Sequence, residues 1–125
     1  MQKTEAGVRD VPLHPAIAGL IDELVAQADR EGWLIPVKKN KYNDRGDAIG
    51  KRFTRLKQEL GYDERHVFHS IRHTVVHSFR KAGCDLEMRD KLMGHANRTV
   101  GAGYGGDLEL KTAADWFERA IQYPD

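Results

Sequence analysis

Apolar residues along the chain fall mostly at spacings of three and four, the period of a helix with one buried face. Ile17, Leu20, Ile21, Leu24 and Val25 predict a helix introduced by His14-Pro15 and ending near Gly32. Ile49, Phe53, Leu56 and Leu60 trace a second stripe from about Asp47, stopped at Gly61. A third helix is predicted from Val67 to Ala82. At about 100° per residue, its Ile71, Val75, Phe79 and Ala82 share one side, whereas His69, Arg72, His73 and Val76 cluster on a face turned away by roughly 120°. One face packs and the other presents imidazoles and a guanidinium. Gly83 ends that helix, Asp85 caps a short one through Leu92, and Gly94 ends the short one in turn. A last amphipathic helix carries Leu108, Leu110, Ala114, Phe117 and Ile121 before Pro124.

Three stretches break the helical period. Val8-Arg9-Asp10-Val11-Pro12 alternates and stops at proline, which predicts a short strand, one arm of a hairpin turning near Glu5-Ala6-Gly7. Lys38 to Gly46 is polar and predicts an exposed loop, and Asn97 to Gly106 is glycine-rich and expected to be mobile. The fold class expected is α+β, predominantly α-helical, with a small N-terminal β-hairpin and about five helices. At 125 residues and 40% apolar content, the length suits one modest core rather than two ordinary domains.

Charge changes the picture once it is divided along the chain. The formal net charge is only +1. Residues 37–58, however, hold eight lysines and arginines (Lys38, Lys39, Lys41, Arg45, Lys51, Arg52, Arg55, Lys57) against Asp44 and Asp47. Residues 65–98 hold seven against three acids, with five histidines besides, while both ends of the chain are acidic. A polyanion is therefore expected to meet the middle of the chain. The single Cys84 forms no internal disulfide, and neither a secretory signal nor an apolar run near ~20 residues is present, so a reducing, cytoplasmic setting is expected, with no membrane partner.

The candidate chemistry lies in the second half: His69-Ser-Ile-Arg72-His73, then Leu92-Met93-Gly94-His95, then Tyr104. Exchanging a phosphodiester requires charge stabilisation on the non-bridging oxygens, a nucleophile, and a proton donor for the leaving alkoxide. The planar fork of Arg72 suits the first task, and His69, one helical turn earlier, can bind the same phosphate or shuttle a proton. Tyr104 is the candidate nucleophile. A phenol's ordinary pKa near 10 leaves about one part in a thousand ionised at neutral pH, so the site must supply roughly 4 kcal/mol. His95, after the tight Gly94 turn, can offer a ring N–H to the phosphate.

Two other patterns point elsewhere and lack their context. Gly101-Ala-Gly103-Tyr-Gly105-Gly106 satisfies G-x-G-x-x-G, but no strand precedes it as a dinucleotide site requires. His69 and His73 have the i, i+4 spacing of zinc-binding helices, yet Ser70 stands where a metalloprotease keeps its glutamate, and no further ligand is evident. Neither a metal nor a cofactor nor a small-molecule substrate is expected.

Taken together, these motifs resemble the C-terminal catalytic domain of the tyrosine recombinases, the phage integrase family. The segment from Lys3 to Leu13 resembles the family's lysine-bearing hairpin, His69-Ser-Ile-Arg72-His73 its H-x-x-R-H box, Leu92-Met93-Gly94-His95 its L-G-H box, and Tyr104 stands where the family keeps its nucleophile. The resemblance implies site-specific recombination of double-stranded DNA through a 3′-phosphotyrosine, without ATP or metal. Tyr104 would attack, Arg72 and His95 clamp the phosphate, His69 assist proton transfer and Lys3 protonate the leaving oxygen. Lys38, Lys39, Lys41, Arg45, Lys51, Arg52, Arg55, His73 and Arg98 are the expected DNA contacts. The resemblance further implies a homotetramer on DNA, the last helix docking on a neighbouring protomer, in an element of phage, island or transposon origin. Only Met1 and Gln2 precede Lys3, whereas the family places another catalytic arginine and an N-terminal DNA-binding domain upstream. Residues 1–125 are therefore expected to be a truncated catalytic domain that binds weakly and cleaves poorly alone. The alternative is a non-catalytic DNA-binding module with the same shell.

Overall fold

A computed structural model describes residues 8–95 and 108–123. Lys3, Arg98, Tyr104, the turn near Glu5-Ala6-Gly7 and the glycine-rich stretch through Gly106 lie outside the described residues. The elements are a short 3-10 turn Pro15–Ile17 and five helices: α1 (Ala18–Ala26), α2 (Gly46–Glu59), α3 (Ser70–Lys81), α4 (Leu86–Met93) and α5 (Leu110–Ala120). The described residues divide into two compact units, residues 8–18 with 74–95 and 108–123 in one and Gly19–His73 in the other.

The described residues contain helices and no strand, so the α+β expectation is corrected to an all-helical arrangement there, and the N-terminal β-hairpin is not seen. Residues 8–14 are held by side chains rather than by a backbone ladder. Arg9 Nε donates to the Leu92 carbonyl at 3.2 Å. His14 Nδ1 accepts the Ala16 N–H at 3.0 Å, capping the 3-10 turn, while Nε2 lies 2.9 Å from the Ile121 carbonyl. The Nε2–H tautomer satisfies both contacts at once. Val8 and Val11, the alternating residues that suggested a strand, are 66% and 54% exposed.

The unit containing α4 and α5 has the main core. Phe79, Cys84, Leu92, Met93 and Ala113 are buried there, with Val75, Val76, Met88, Trp116 and Phe117 packed against them. Phe79 is fully buried and meets Phe117 edge-on, ring centroids 5.0 Å apart. Burial pushes the Cys84 thiol above its ordinary range; Asp85 adds to the shift and Arg89 opposes it. The apolar face of α5, expected to dock on another protomer, packs within this core through Ala113, Trp116 and Phe117.

In the other unit, Val37 is the one buried apolar residue among those described. Polar contacts carry much of its order. Arg45 Nη1 donates to the Val37 carbonyl and Nη2 to Glu31, both at 2.9 Å, and the guanidinium stacks 4.5 Å from the Trp33 ring centroid. Asn40 Oδ1 accepts the N–H groups of Tyr42 and Asp44, and Asp44 Oδ1 accepts that of Gly46, so the polar stretch before α2 is a built turn. Lys57 Nζ donates to the carbonyls of Asp63 and His66, tying α2 to the segment after it, and Phe53 meets Phe68 edge-on.

Three helices close the same way. After α2, the Tyr62 N–H reaches Lys57 O and the Gly61 N–H reaches Gln58 O; after α3, the Cys84 N–H reaches Phe79 O and the Gly83 N–H reaches Arg80 O. After α4, the His95 N–H reaches Asp90 O and the Gly94 N–H reaches Lys91 O. Each closure requires a left-handed residue, and Gly61, Gly83 and Gly94 supply it with φ of 85°, 85° and 67°.

Candidate active site

The first box opens α3. Ser70 Oγ accepts the Val67 N–H at 3.0 Å, and the His73 N–H reaches the His69 carbonyl at 3.4 Å, so His69 stands at the threshold of the helix. His69 and His73 are exposed and their rings meet at 83° with centroids 5.1 Å apart, on one face as the spacing predicts. Arg72 is half-buried on the same helix. The angular reading needs one correction on each side. Val76, assigned to the presenting face, packs on the core beside Val75 and Phe79, and Ile71, assigned to the packed face, is 50% exposed. A helical wheel averages over the whole helix, whereas only the later turns of α3 meet this core.

The second box closes α4. Asp85 Oδ1 accepts the Met88 N–H at 2.8 Å and starts the helix. At the other end Gly94, with φ 67° and ψ 30°, turns the chain so that the His95 N–H reaches the Asp90 carbonyl at 2.9 Å. The His95 ring then lies with Nδ1 3.4 Å from Asp90 Oδ1. Asp90 is buried and His95 is half-buried, with its side chain 35% exposed. Arg9, through the Leu92 carbonyl, braces the same helix end. Neither Asp90 nor Arg9 stands out in the sequence as a site residue. The usable signal is position: Asp90 precedes a post-glycine histidine by five, the offset whose carbonyl receives the closing N–H.

The expected DNA contacts fall in the unit Gly19–His73, apart from Arg98. Lys38, Lys39, Arg52 and Arg55 are exposed. Lys41 is exposed and lies over the Tyr42 ring at 4.9 Å. Lys51 pairs with Asp47 at 2.7 Å, and that ammonium holds the Asp47 carboxyl below its usual range. The Asp63 carboxyl is likewise lowered, chiefly by its hydrogen bond to Arg65. The Arg45 guanidinium is taken up by Glu31, Val37 and Trp33, with its side chain 19% exposed.

Among the described residues no three His, Cys, Asp or Glu side chains gather as metal ligands, and no helix is long and apolar enough to cross a membrane. A sequence model of the phage integrase family matches residues 1–105, a span that includes Lys3, His69, Arg72, His95 and Tyr104. No curated protein and no solved structure matches the chain.

Proposed function

The chain belongs to the phage integrase family, whose members act in DNA recombination and integration as tyrosine recombinases, and from that premise we propose that it supplies the C-terminal part of a catalytic domain that cleaves and reseals DNA. The order of its motifs supports this reading: a lysine near the start, the His69-x-x-Arg72-His73 box, the Gly94-His95 turn and Tyr104 all fall inside the matched span. The observation that carries most weight is that the first box opens α3 with His69 and His73 side by side and accessible, while the second is fixed by the α4 closure.

In the proposed reaction the Arg72 fork holds two non-bridging oxygens of the scissile phosphate, and stays charged throughout. The Tyr104 oxygen bonds to phosphorus as the bond to the 5′ oxygen breaks, and Lys3 protonates that oxygen. His69 assists proton transfer and His95 joins the phosphate clamp. The 3′-phosphotyrosine conserves the energy of the broken bond, so the reverse attack by a 5′ hydroxyl reseals the strand with no nucleotide triphosphate. Lys38, Lys39, Arg52, Arg55 and Arg98 contribute backbone contacts to duplex DNA, which dominate affinity and make it salt-dependent. Assembly as a homotetramer on DNA follows from the family resemblance, as does an intracellular role in a mobile element.

The test is covalent capture. Full-length protein is incubated with a pool of nicked duplexes, and protein–DNA species that survive detergent are counted. An adduct that disappears in Tyr104→Phe and falls at least a hundredfold in Arg72→Ala supports the enzyme, since loss of one preorganised donor costs about 10²–10³ in rate. Binding with no adduct in any pool assigns the chain instead to a non-catalytic DNA-binding module.

A further inference from the structure

We propose that Asp90 is a positioning residue for His95: it fixes the ring's orientation and tautomer, so that Nε2 faces the phosphate and donates to it once the ring is charged. This rests on the reading of His95 as part of the phosphate site. Asp90 is the one buried charged side chain among the described residues, at 7% exposure. A buried carboxylate is costly unless paired, and the partner here is His95 Nδ1 at 3.4 Å. A carboxylate only accepts, so the facing nitrogen carries the hydrogen; in a neutral ring Nε2, on the opposite edge, is then a bare lone pair.

The histidine meets the same residue twice. The Asp90 carbonyl takes the His95 N–H at 2.9 Å, and the Asp90 carboxylate faces the ring. Gly94 at φ 67° makes the double hold possible, and Arg9 on the Leu92 carbonyl steadies the helix end beneath it. A ring so held cannot donate to a phosphate oxygen while neutral, so the clamp role proposed for His95 requires that it first gain a proton. Once charged, the ring donates to the phosphoryl oxygen with its charge balanced by Asp90, the logic of a carboxylate behind a catalytic histidine.

The experiment is 15N NMR of the imidazoles in the full chain. In the native protein the neutral His95 ring is expected to carry its proton on Nδ1. In Asp90→Asn, folded by amide dispersion, the population is expected to move toward Nε2–H while exposed His69 stays as it was. Nε2–H as the major native form overturns the proposal without any variant, as does an unchanged ring in folded Asp90→Asn. In the capture assay, folded Asp90→Asn is expected to lose about 10-fold to 100-fold in adduct rate, the range typical of outer-shell partners. Should no adduct form even in native protein while the tautomer moves as stated, the recombinase reading fails and the role of Asp90 in fixing the ring stands.

Discussion

Alanine at Gly94 and alanine at Gly50 add the same methyl group and are expected to move stability in opposite directions. Gly94 closes α4 in the left-handed region, φ 67° and ψ 30°. An L-residue there costs roughly 1–2 kcal/mol, partly offset by the ~0.4–1 kcal/mol that a stiffer unfolded chain returns, leaving a net loss of about 1 kcal/mol. Gly50 lies inside α2, and a Cβ built on it meets nothing within 4 Å. There the restriction of the unfolded chain and the better helix propensity act together, for a gain of about 0.5–1 kcal/mol. Amide exchange read separately for α2 and α4 gives each local opening free energy; in a thermal melt, 1 kcal/mol corresponds to roughly 4 °C for a chain of this size. Gly94→Asn, which tolerates the left-handed region better, is expected to recover about half of the alanine loss. The reasoning is refuted if Gly94→Ala protects α4 as well as glycine does, or if Gly50→Ala weakens α2.

Phe79→Ala is expected to cost about 3–5 kcal/mol, because it empties a fully buried site and removes the edge-on pair with Phe117; Phe79→Leu should cost distinctly less in the same denaturant titration. Arg52→Ala is expected to lower the slope of log Kobs against log salt for duplex DNA by about 0.9, the release tied to one phosphate contact, whereas Arg45→Ala leaves that slope in place and lowers the melting temperature, its guanidinium being spent on Glu31, Val37 and Trp33. The Asp63 carboxyl is lowered by Arg65, so its contribution is complete above the ordinary carboxyl range and drains away as pH falls through the depressed value; a pH series on Asp63→Asn should lack that component of the acid loss.

Helix ends were the most legible features of the chain because their causes are local. Gly61, Gly83 and Gly94 each predict a stop, and each closes its helix with the same pair of backbone bonds. Asp85 predicts a start and accepts the Met88 N–H. The exception is instructive: the first helix is expected to reach Gly32 and ends at Ala26, because Asp29 Oδ1 takes the N–H groups of Glu31 and Trp33 and stabilises a turn against further helix. A stripe of apolar residues carries no sign of that competition.

What was not legible depends on partners far away in the sequence. Whether Val8-Arg9-Asp10-Val11 pairs as a strand is decided by what lies beside it, and what lies beside Arg9 is the carbonyl of Leu92, 83 residues on. Counting charges places Arg45 among the DNA contacts and Asp90 among the neutralising acids, since a count is blind to burial. In the structure the Arg45 guanidinium meets Glu31, the Val37 carbonyl and the Trp33 ring, and the buried Asp90 carboxylate lies 3.4 Å from His95 Nδ1. Periodicity and motif spacing thus single out candidate groups, while the neighbours that pack or pair with those groups emerge only when the backbone closes on itself, as it does where the His95 N–H returns to Asp90.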